Sequence, residues 1–263
     1  MKGKNFNVYK PVGISPLDAV KILRQKHPET EKEKVTYAGR LDPLAEGVLI
    51  LLVGDAIQQK EKYLKLDKEY EAEILFGFKT DTYDILGLPQ KIRQPLPMSR
   101  FNLDIGLGKF LGKNKMPLPP YSSYKIKGKP LFEWARKGKL KEIKIPEKEI
   151  EIYEIKLLEL KKVGSEKLLE KIIKKIKVVQ GDFRQEKILS QWQEKILPKI
   201  CYRLKQEGFW VARIKIKCSS GTYVRSIAHK LGQNLKTGAV LLGLKRTKVG
   251  KFDIKDSIDI RRQ

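Results

Sequence analysis

One carboxylate stands out for the company it keeps. The stretch Tyr37-Ala-Gly-Arg-Leu-Asp-Pro-Leu-Ala-Glu-Gly47 runs directly into the apolar segment Val48 to Val53. Pro43 fixes its own φ and steers Asp42 away from helical geometry, so Asp42 is expected on an extended loop. Gly39 and Gly47 allow a sharp bend or a close approach to a ligand. The apolar segment reads as a buried strand. An acid held at the rim of a rigid sheet is where catalytic groups are often mounted. Asp-Pro alone is an ordinary turn dipeptide; the longer string is what singles it out.

The rest of the composition narrows the chemistry. The chain has two histidines, His27 and His229, and two cysteines, Cys201 and Cys218. Their scatter matches no zinc spacing, so no structural metal is expected. So few histidines also argue against Ser-His or Cys-His nucleophiles. An enzyme built from this chain works mainly with carboxylates, tyrosines and arginines. Two cysteines cannot form a disulfide framework, which fits a cytoplasmic location, and Cys218 reads as a small core residue. The 263 residues carry 56 Lys and Arg against 31 Asp and Glu, a net charge of +25. That excess points to a polyanion, with nucleic acid ahead of an anionic membrane surface. No apolar run is long enough to span a bilayer, and the N-terminal stretch lacks the apolar core of a signal peptide.

Several elements must position the acid. Asn5 to Tyr9 reads as a short strand. Ser15 is a good N-cap, Pro16 suits a first helical position, and Ala19, Val20 and Leu23 give one apolar face to about Lys26. A helix is expected from about Asp55 to Leu66. Tyr70, Ala72, Ile74, Phe76 and Phe78 alternate with Glu71 and Glu73, the period of a half-buried strand. Thr80 to Asp84 is a turn, and Ser99 to Leu111 a helix. Met116 to Pro120 is a rigid stretch delivering Tyr121 to a strand, and Leu131 to Lys137 is a short amphipathic helix. Strands follow at Ile150 to Val163, Trp210 to Cys218 and Val240 to Val249, with a helix from Tyr223 to Leu235. Helices and alternating strands mix without strict βαβ order. This predicts an α+β fold with a mixed, mainly antiparallel central sheet and flanking helices. With 41% hydrophobic residues, no repeat and no flexible linker, residues 1–263 are expected to form a single domain.

Residues 164–208 interrupt what would otherwise be a hairpin. Leu168, Leu169, Ile172, Ile173 and Ile176, then Ile188, Leu189, Trp192 and Ile196, recur at helical spacing, predicting two or three amphipathic helices inserted at a loop tip. Lys171, Lys174, Lys175, Lys177 and Arg184 suit either a solvated face or an additional RNA-contacting arm.

Gly-Arg-Leu-Asp-Pro-Leu-Ala-Glu-Gly-Val-Leu closely resembles the catalytic motif of the TruB family, the bacterial tRNA pseudouridine synthases acting on the T-loop uridine, position 55. Further segments resemble the same family in the same order. They are Lys10-Pro-Val-Gly-Ile-Ser15, Lys68-Glu-Tyr-Glu-Ala, Phe78-Lys-Thr-Asp-Thr-Tyr-Asp84, Pro119-Pro-Tyr-Ser-Ser-Tyr-Lys125 through Lys137, Cys218-Ser-Ser-Gly-Thr-Tyr-Val-Arg225, and Leu244-Lys-Arg-Thr. The resemblance covers most of the chain outside the insertion. It implies the pseudouridine synthase fold, and conversion of uridine to pseudouridine with no redox change, no cofactor and no metal. Asp42 is then the catalytic aspartate. Tyr70, Tyr223, Arg225, Leu244 and Tyr37 are implied to bind the substrate nucleotide, and Lys10, Arg40, Lys125 and Arg246 to contact the RNA. Arg225 is expected to pair with Asp42 and keep it ionised, and Tyr70 to stack on a flipped base. Asp42 could attack the ribose anomeric carbon, remove a proton from its 2′ position, or add to the uracil ring. The implied partner is the T arm of tRNA, met by a monomer with no obligatory protein partner. A non-catalytic RNA-binding or RNA-folding protein on the same scaffold is the alternative.

Three departures from the family pattern are visible. Tyr37 stands where a histidine is usual, Ser220 where a lysine usually precedes Gly-Thr-Tyr, and little chain follows the core where a small C-terminal RNA-binding (PUA-like) domain is usual. Two consequences are open: the inserted helices compensate, or affinity for tRNA is lower.

Overall fold

The computed structural model describes residues 3–92, 98–197 and 208–260. Its centre is a sheet whose main path runs β14 (Ile258–Asp259), β1 (Lys4–Lys10), β3 (Ala45–Val53), β12 (Ala239–Val249), β4 (Lys68–Phe76), β11 (Gly208–Cys218), β10 (Glu147–Gly164) and β7 (Gly112–Pro117), while β2 (Val35–Ala38) pairs with β3 and β13 (Phe252–Asp253) with β12. Among the described strands of this sheet, the β1–β14 and β3–β12 pairs are parallel and the others antiparallel, so the sheet is mixed and mainly antiparallel, as the alternation predicts. Two small ladders join β5 (Phe78–Lys79) to β6 (Gln90–Lys91) and β8 (Lys125–Ile126) to β9 (Lys129–Pro130).

The parallel contact matters for function. Leu244 pairs with Ala45 and Arg246 with Gly47, which brings the closing strand against the start of β3. Gly47 has φ of 112°, and a Cβ there would lie 2.2 Å from the Arg246 carbonyl oxygen. Glycine is therefore required for the two strands to meet.

The period of two on β4 divides its side chains between two cores. Tyr70, Ala72, Ile74 and Phe76 join Ala212, Ile214 and Ile216 of β11 under α3 (Arg100–Gly108) and α7 (Val224–Asn234). On the other face Leu75, Val211, Val240 and Leu242 meet α5 (Ser165–Lys177) and α6 (Gln185–Ile196) through Leu168, Ile172, Ile188, Trp192 and others. Trp192 is fully buried, and its Nε1 donates to the Ile85 carbonyl at 2.9 Å.

Some elements differ from the sequence expectations. The helix expected over 55–66 is a 3₁₀ segment followed by only α2 (Lys60–Leu64). Lys68 Nζ donates to the carbonyls of Leu64 and Leu66, drawing the chain end away from helical pairing. Of the stretch Met116 to Pro120, Met116 and Pro117 end β7, which pairs with β10 at the sheet edge where a proline is tolerated, while Leu118 to Tyr121 lie outside any strand. α1 (Pro16–Lys26) starts as expected, with a capping box between Ser15 and Asp18. α4 (Leu131–Arg136) completes the helices named here. The end of the expected insertion, residues 198–207 with Cys201, lies outside the described residues.

Candidate active site

Asp42 opens a tight turn. Its carbonyl accepts from Ala45 N at 2.9 Å, with Pro43 at the second turn position. Two flanking contacts fix this loop. Gly13 N donates to the Pro43 carbonyl at 2.8 Å. From below, Arg246 donates through Nε to Val48 O at 2.8 Å, and through its terminal nitrogens to Gly39 O at 2.9 Å and Arg40 O at 3.3 Å. Arg246 is 1% exposed, so these bonds are made away from water.

Arg225 approaches from the first turn of α7, where the helix dipole gives a cation no help. It is buried beside two carboxylates. Its Nε lies 2.7 Å from Asp42 Oδ2 and 3.7 Å from Asp84 Oδ2. One terminal nitrogen donates to Thr82 O at 2.9 Å. Nε has no acceptor in full hydrogen-bond alignment, so its pull on Asp42 is mainly that of charge. Burial alone would lower the Arg225 pKa, but Asp42 first and Asp84 second outweigh it, and the guanidinium is held charged.

The two carboxylates differ in setting. Asp42 is partly open to a cleft, whereas Asp84 is buried. Burial raises the Asp84 carboxyl to about 6, against the pull of Arg225 and of the Thr82 hydroxyl, which donates to Asp84 Oδ1 at 2.6 Å. Leu86 N donates to the same oxygen at 3.0 Å. One arginine thus holds an accessible acid on one side and a buried acid on the other.

The cleft has a volume of about 1110 Å³, and Asp42, Tyr37, Arg40, Tyr70, Tyr223, Arg225, Leu244 and Arg246 all line it. Eight cationic side chains and four carboxylates contribute to its wall among the described residues, so its field favours an anion. Tyr70 pairs with Arg246 across the β4–β12 ladder and is nearly buried, which raises its pKa. Tyr223 stands immediately before α7; burial and then the Asp42 charge raise its pKa. The Tyr37 hydroxyl accepts from Arg40 at 3.0 Å. Lys148 of β10 lies over Gly221, where a Cβ would come within 2.0 Å of its Nζ. A lysine from another strand therefore stands beside the Ser220 position.

Two of the residues expected to touch RNA, Lys10 and Lys125, sit off the cleft wall, and a third, Arg246, lines it with its donors turned onto the Asp42 loop. Lys10 is fully buried, and its Nζ donates to Pro11 O and Ile14 O, both at 2.9 Å. Burial lowers its pKa to about 7. It braces the loop before α1 and presents no surface to a ligand. Arg246 spends its donors on the Asp42 loop. Lys125 is exposed on β8 but is not part of the cleft wall. Sequence reasoning treated Asp84 only as part of a turn. Its signal was the Thr-Asp-Thr-Tyr-Asp run, whose side chains bond to their own loop.

The TruB family pseudouridylate synthase (N terminal domain) pattern matches residues 26–183. A tRNA pseudouridine synthase B of Caldicellulosiruptor saccharolyticus is 31% identical over 253 residues, covering 96% of this chain and 69% of the relative. That of Thermosipho melanesiensis is 33% identical over 256 residues, covering 97% and 66%. Among solved structures, a Cbf5-Nop10-Gar1 complex superposes with a TM-score of 0.59 at 18% identity, over 98% of this chain and 52% of the other. An H/ACA RNP bound to a substrate RNA containing 2′-deoxyuridine gives 0.56 at 18%, over 98% and 51%. The chain spans about half the length of those solved chains, and they bear on the fold alone. A family pattern over more than half of the chain, joined to curated relatives of that identity and coverage, establishes that this chain belongs to the TruB family of pseudouridylate synthases.

Proposed function

We propose that this chain isomerises uridine to pseudouridine at position 55, in the T-loop of tRNA, with Asp42 as the catalytic group. The observation that carries the reading is the Asp42–Arg225 pair at 2.7 Å, set at the wall of a predominantly cationic cleft beside Tyr70 and Leu244. The curated relatives named above carry the name tRNA pseudouridine synthase B.

The reaction breaks the bond between N1 and the ribose C1′, turns the uracil and joins C5 to C1′. One proton leaves C5 and one is gained at N1, so atoms and charge balance with no redox partner. Arg225, 2.7 Å away, holds the Asp42 carboxylate in place for attack, proton removal or ring addition. Extruding the nucleotide costs a few kcal/mol. Stacking on Tyr70, worth about 1–3 kcal/mol, offsets much of that, with Leu244 pressing from the other side. Tyr223 stands close enough to Asp42 to feel its charge and is suited to donate a hydrogen bond to the base. Arg40 and Tyr37 line the mouth, where the RNA backbone enters. Residues 164–208 form an insertion within one catalytic unit in this reading. Among the described residues no helix is long and apolar enough to cross a membrane.

The test is incubation of the purified chain with unmodified tRNA, followed by mapping of pseudouridine at nucleotide resolution. Product at the T-loop uridine is expected without added protein or guide RNA. Tight tRNA binding with no product would favour an RNA-binding protein on the same scaffold.

A further inference from the structure

The turn between α5 and α6 returns from the far face of the sheet to the cleft, where Phe183 and Arg184 form part of the wall. It is fastened to four other segments. Gln180 N donates to Gly13 O at 2.8 Å, beside the loop that holds Pro43. Arg136 donates to Asp182 O at 3.2 Å. Arg184 donates to Asp81 Oδ2 at 3.0 Å, and its guanidinium carbon lies 5.3 Å from the centre of the Tyr121 ring. Within the turn, the Gln185 amide donates to Val179 O and Gly181 O.

The lysines that made the insertion look like an RNA arm do not explain this arrangement. Lys171 and Lys175 fold back onto Glu73 of β4. Arg184 is different. Its backbone is left-handed, with φ of 62°, a conformation unfavourable for any residue but glycine. Its ion pair with Asp81 is about one-third exposed on both sides and so returns little stability. A strained backbone that holds a weak, half-solvated pair in a cleft points to use on a ligand.

We propose that Arg184 is an RNA-binding residue that grips a backbone phosphate of the substrate. The inference rests on the reading of this cleft as the RNA site and extends it to the insertion. A guanidinium has five donors in a planar fork that matches phosphate oxygens. Asp81 and the Tyr121 ring fix the plane of that fork, so little freedom remains to be lost when the phosphate arrives. Phe183, half-buried on the second core, backs the same turn. The insertion thereby contributes to substrate grip through its tip.

The experiment measures binding of unmodified tRNA over a range of salt concentrations for the native chain, Arg184→Ala and Arg184→Lys, alongside unfolding midpoints. For Arg184→Ala, affinity falls about 10-fold at moderate salt, and the slope of log K against log salt becomes shallower by about 1. Arg184→Lys restores the slope, because the charge remains. An unchanged slope in a folded Arg184→Ala protein overturns the proposal, whether or not affinity falls. Absence of pseudouridine in tRNA treated with the native chain counts against the enzymatic reading instead, and leaves the slope to decide this one.

Discussion

Replacing Arg225 with methionine removes the one cation that faces both carboxylates while keeping much of the side-chain volume. At an effective dielectric of about 20, a unit pair at the Asp42 distance of 2.7 Å is attracted by about 6 kcal/mol, and one at the Asp84 distance of 3.7 Å by about 4.5 kcal/mol. Desolvation of the guanidinium offsets much of this, and breaking a buried pair costs about 3–5 kcal/mol net. Part of that loss depends on pH. In the native chain the Asp84 carboxyl sits at about 6, above its ordinary value of 3.8. Between those values the folded state keeps a proton that the unfolded state has lost, so this group's contribution to stability falls as pH rises through the window and is level above it. Without Arg225 the folded value moves higher and the decline continues upward. The stability gap between native and Arg225→Met proteins should therefore widen from about pH 6 to about pH 8, by up to ~1.4 kcal/mol per pH unit. Lys10 and Lys68 titrate in the same range but are present in both proteins and cancel. Urea unfolding at the two pH values measures the gap. Pseudouridine formation should fall by about 100-fold or more, because Asp42 loses its anchor. A gap independent of pH would refute the assignment of Asp84 as the group that takes up the proton. So would a pH dependence that survives in the double variant Asp84→Asn/Arg225→Met.

Three other outcomes are expected. Asp42→Asn should abolish pseudouridine formation in a chain that still folds, with a lowered unfolding midpoint because the buried Arg225 loses the nearer of its two carboxylates; turnover retained in the purified variant would reject it as the catalyst. Arg246→Ala should lose about 3 kcal/mol or more in urea unfolding, because buried carbonyls at Gly39, Arg40 and Val48 lose their donors. Arg246→Lys should not restore turnover, since one ammonium cannot span three carbonyls. Lys10 has a folded pKa lowered to about 7, so the unfolded chain binds its proton more tightly and this group's contribution to stability rises with pH from there toward 10.5. In Lys10→Met that rise should be shallower by up to ~1.4 kcal/mol per pH unit, read from unfolding between about pH 7 and pH 9.

What could be read from the residues was what local chemistry dictates. The period of two on β4 and β11 gave both strands, and Ser15 with Asp18 gave the start of α1. The Asp-Pro turn between glycines placed Asp42 on a loop ahead of β3, and the structure has it there. The family resemblance brought Arg225 to Asp42 across 183 positions, and the 2.7 Å contact agrees. Features that depend on which element packs behind a residue were not legible. Lys10 and Arg246 look like any surface cation in a chain of charge +25. Their targets are mostly carbonyls of bent loops, with Val48 O in β3, and periodicity does not say which carbonyl a distant cation will meet. The shortness of α2 was not legible for the same reason, because Lys68 satisfies carbonyls at its end.

Arg225 meets two acids in unlike surroundings, and this is how one cation serves two purposes. If both carboxylates were equally exposed, water would screen them and neither would be held. If both were equally buried, one would stay protonated near neutral pH, because a single positive charge cannot offset two desolvated anions. The structure divides the work by depth. Asp84, with its bonds from Thr82 and Leu86 N, fixes the guanidinium from the buried side. Asp42, shorter in contact and open to the cleft, keeps the outward position. The buried acid orients the arginine, and the arginine in turn aims the reactive acid. A neutral Asn at 84 should therefore leave Asp42 less firmly held, lowering turnover more than tRNA affinity; an equal loss in both would mean that Asp84 acts on the RNA pocket as a whole rather than through Arg225.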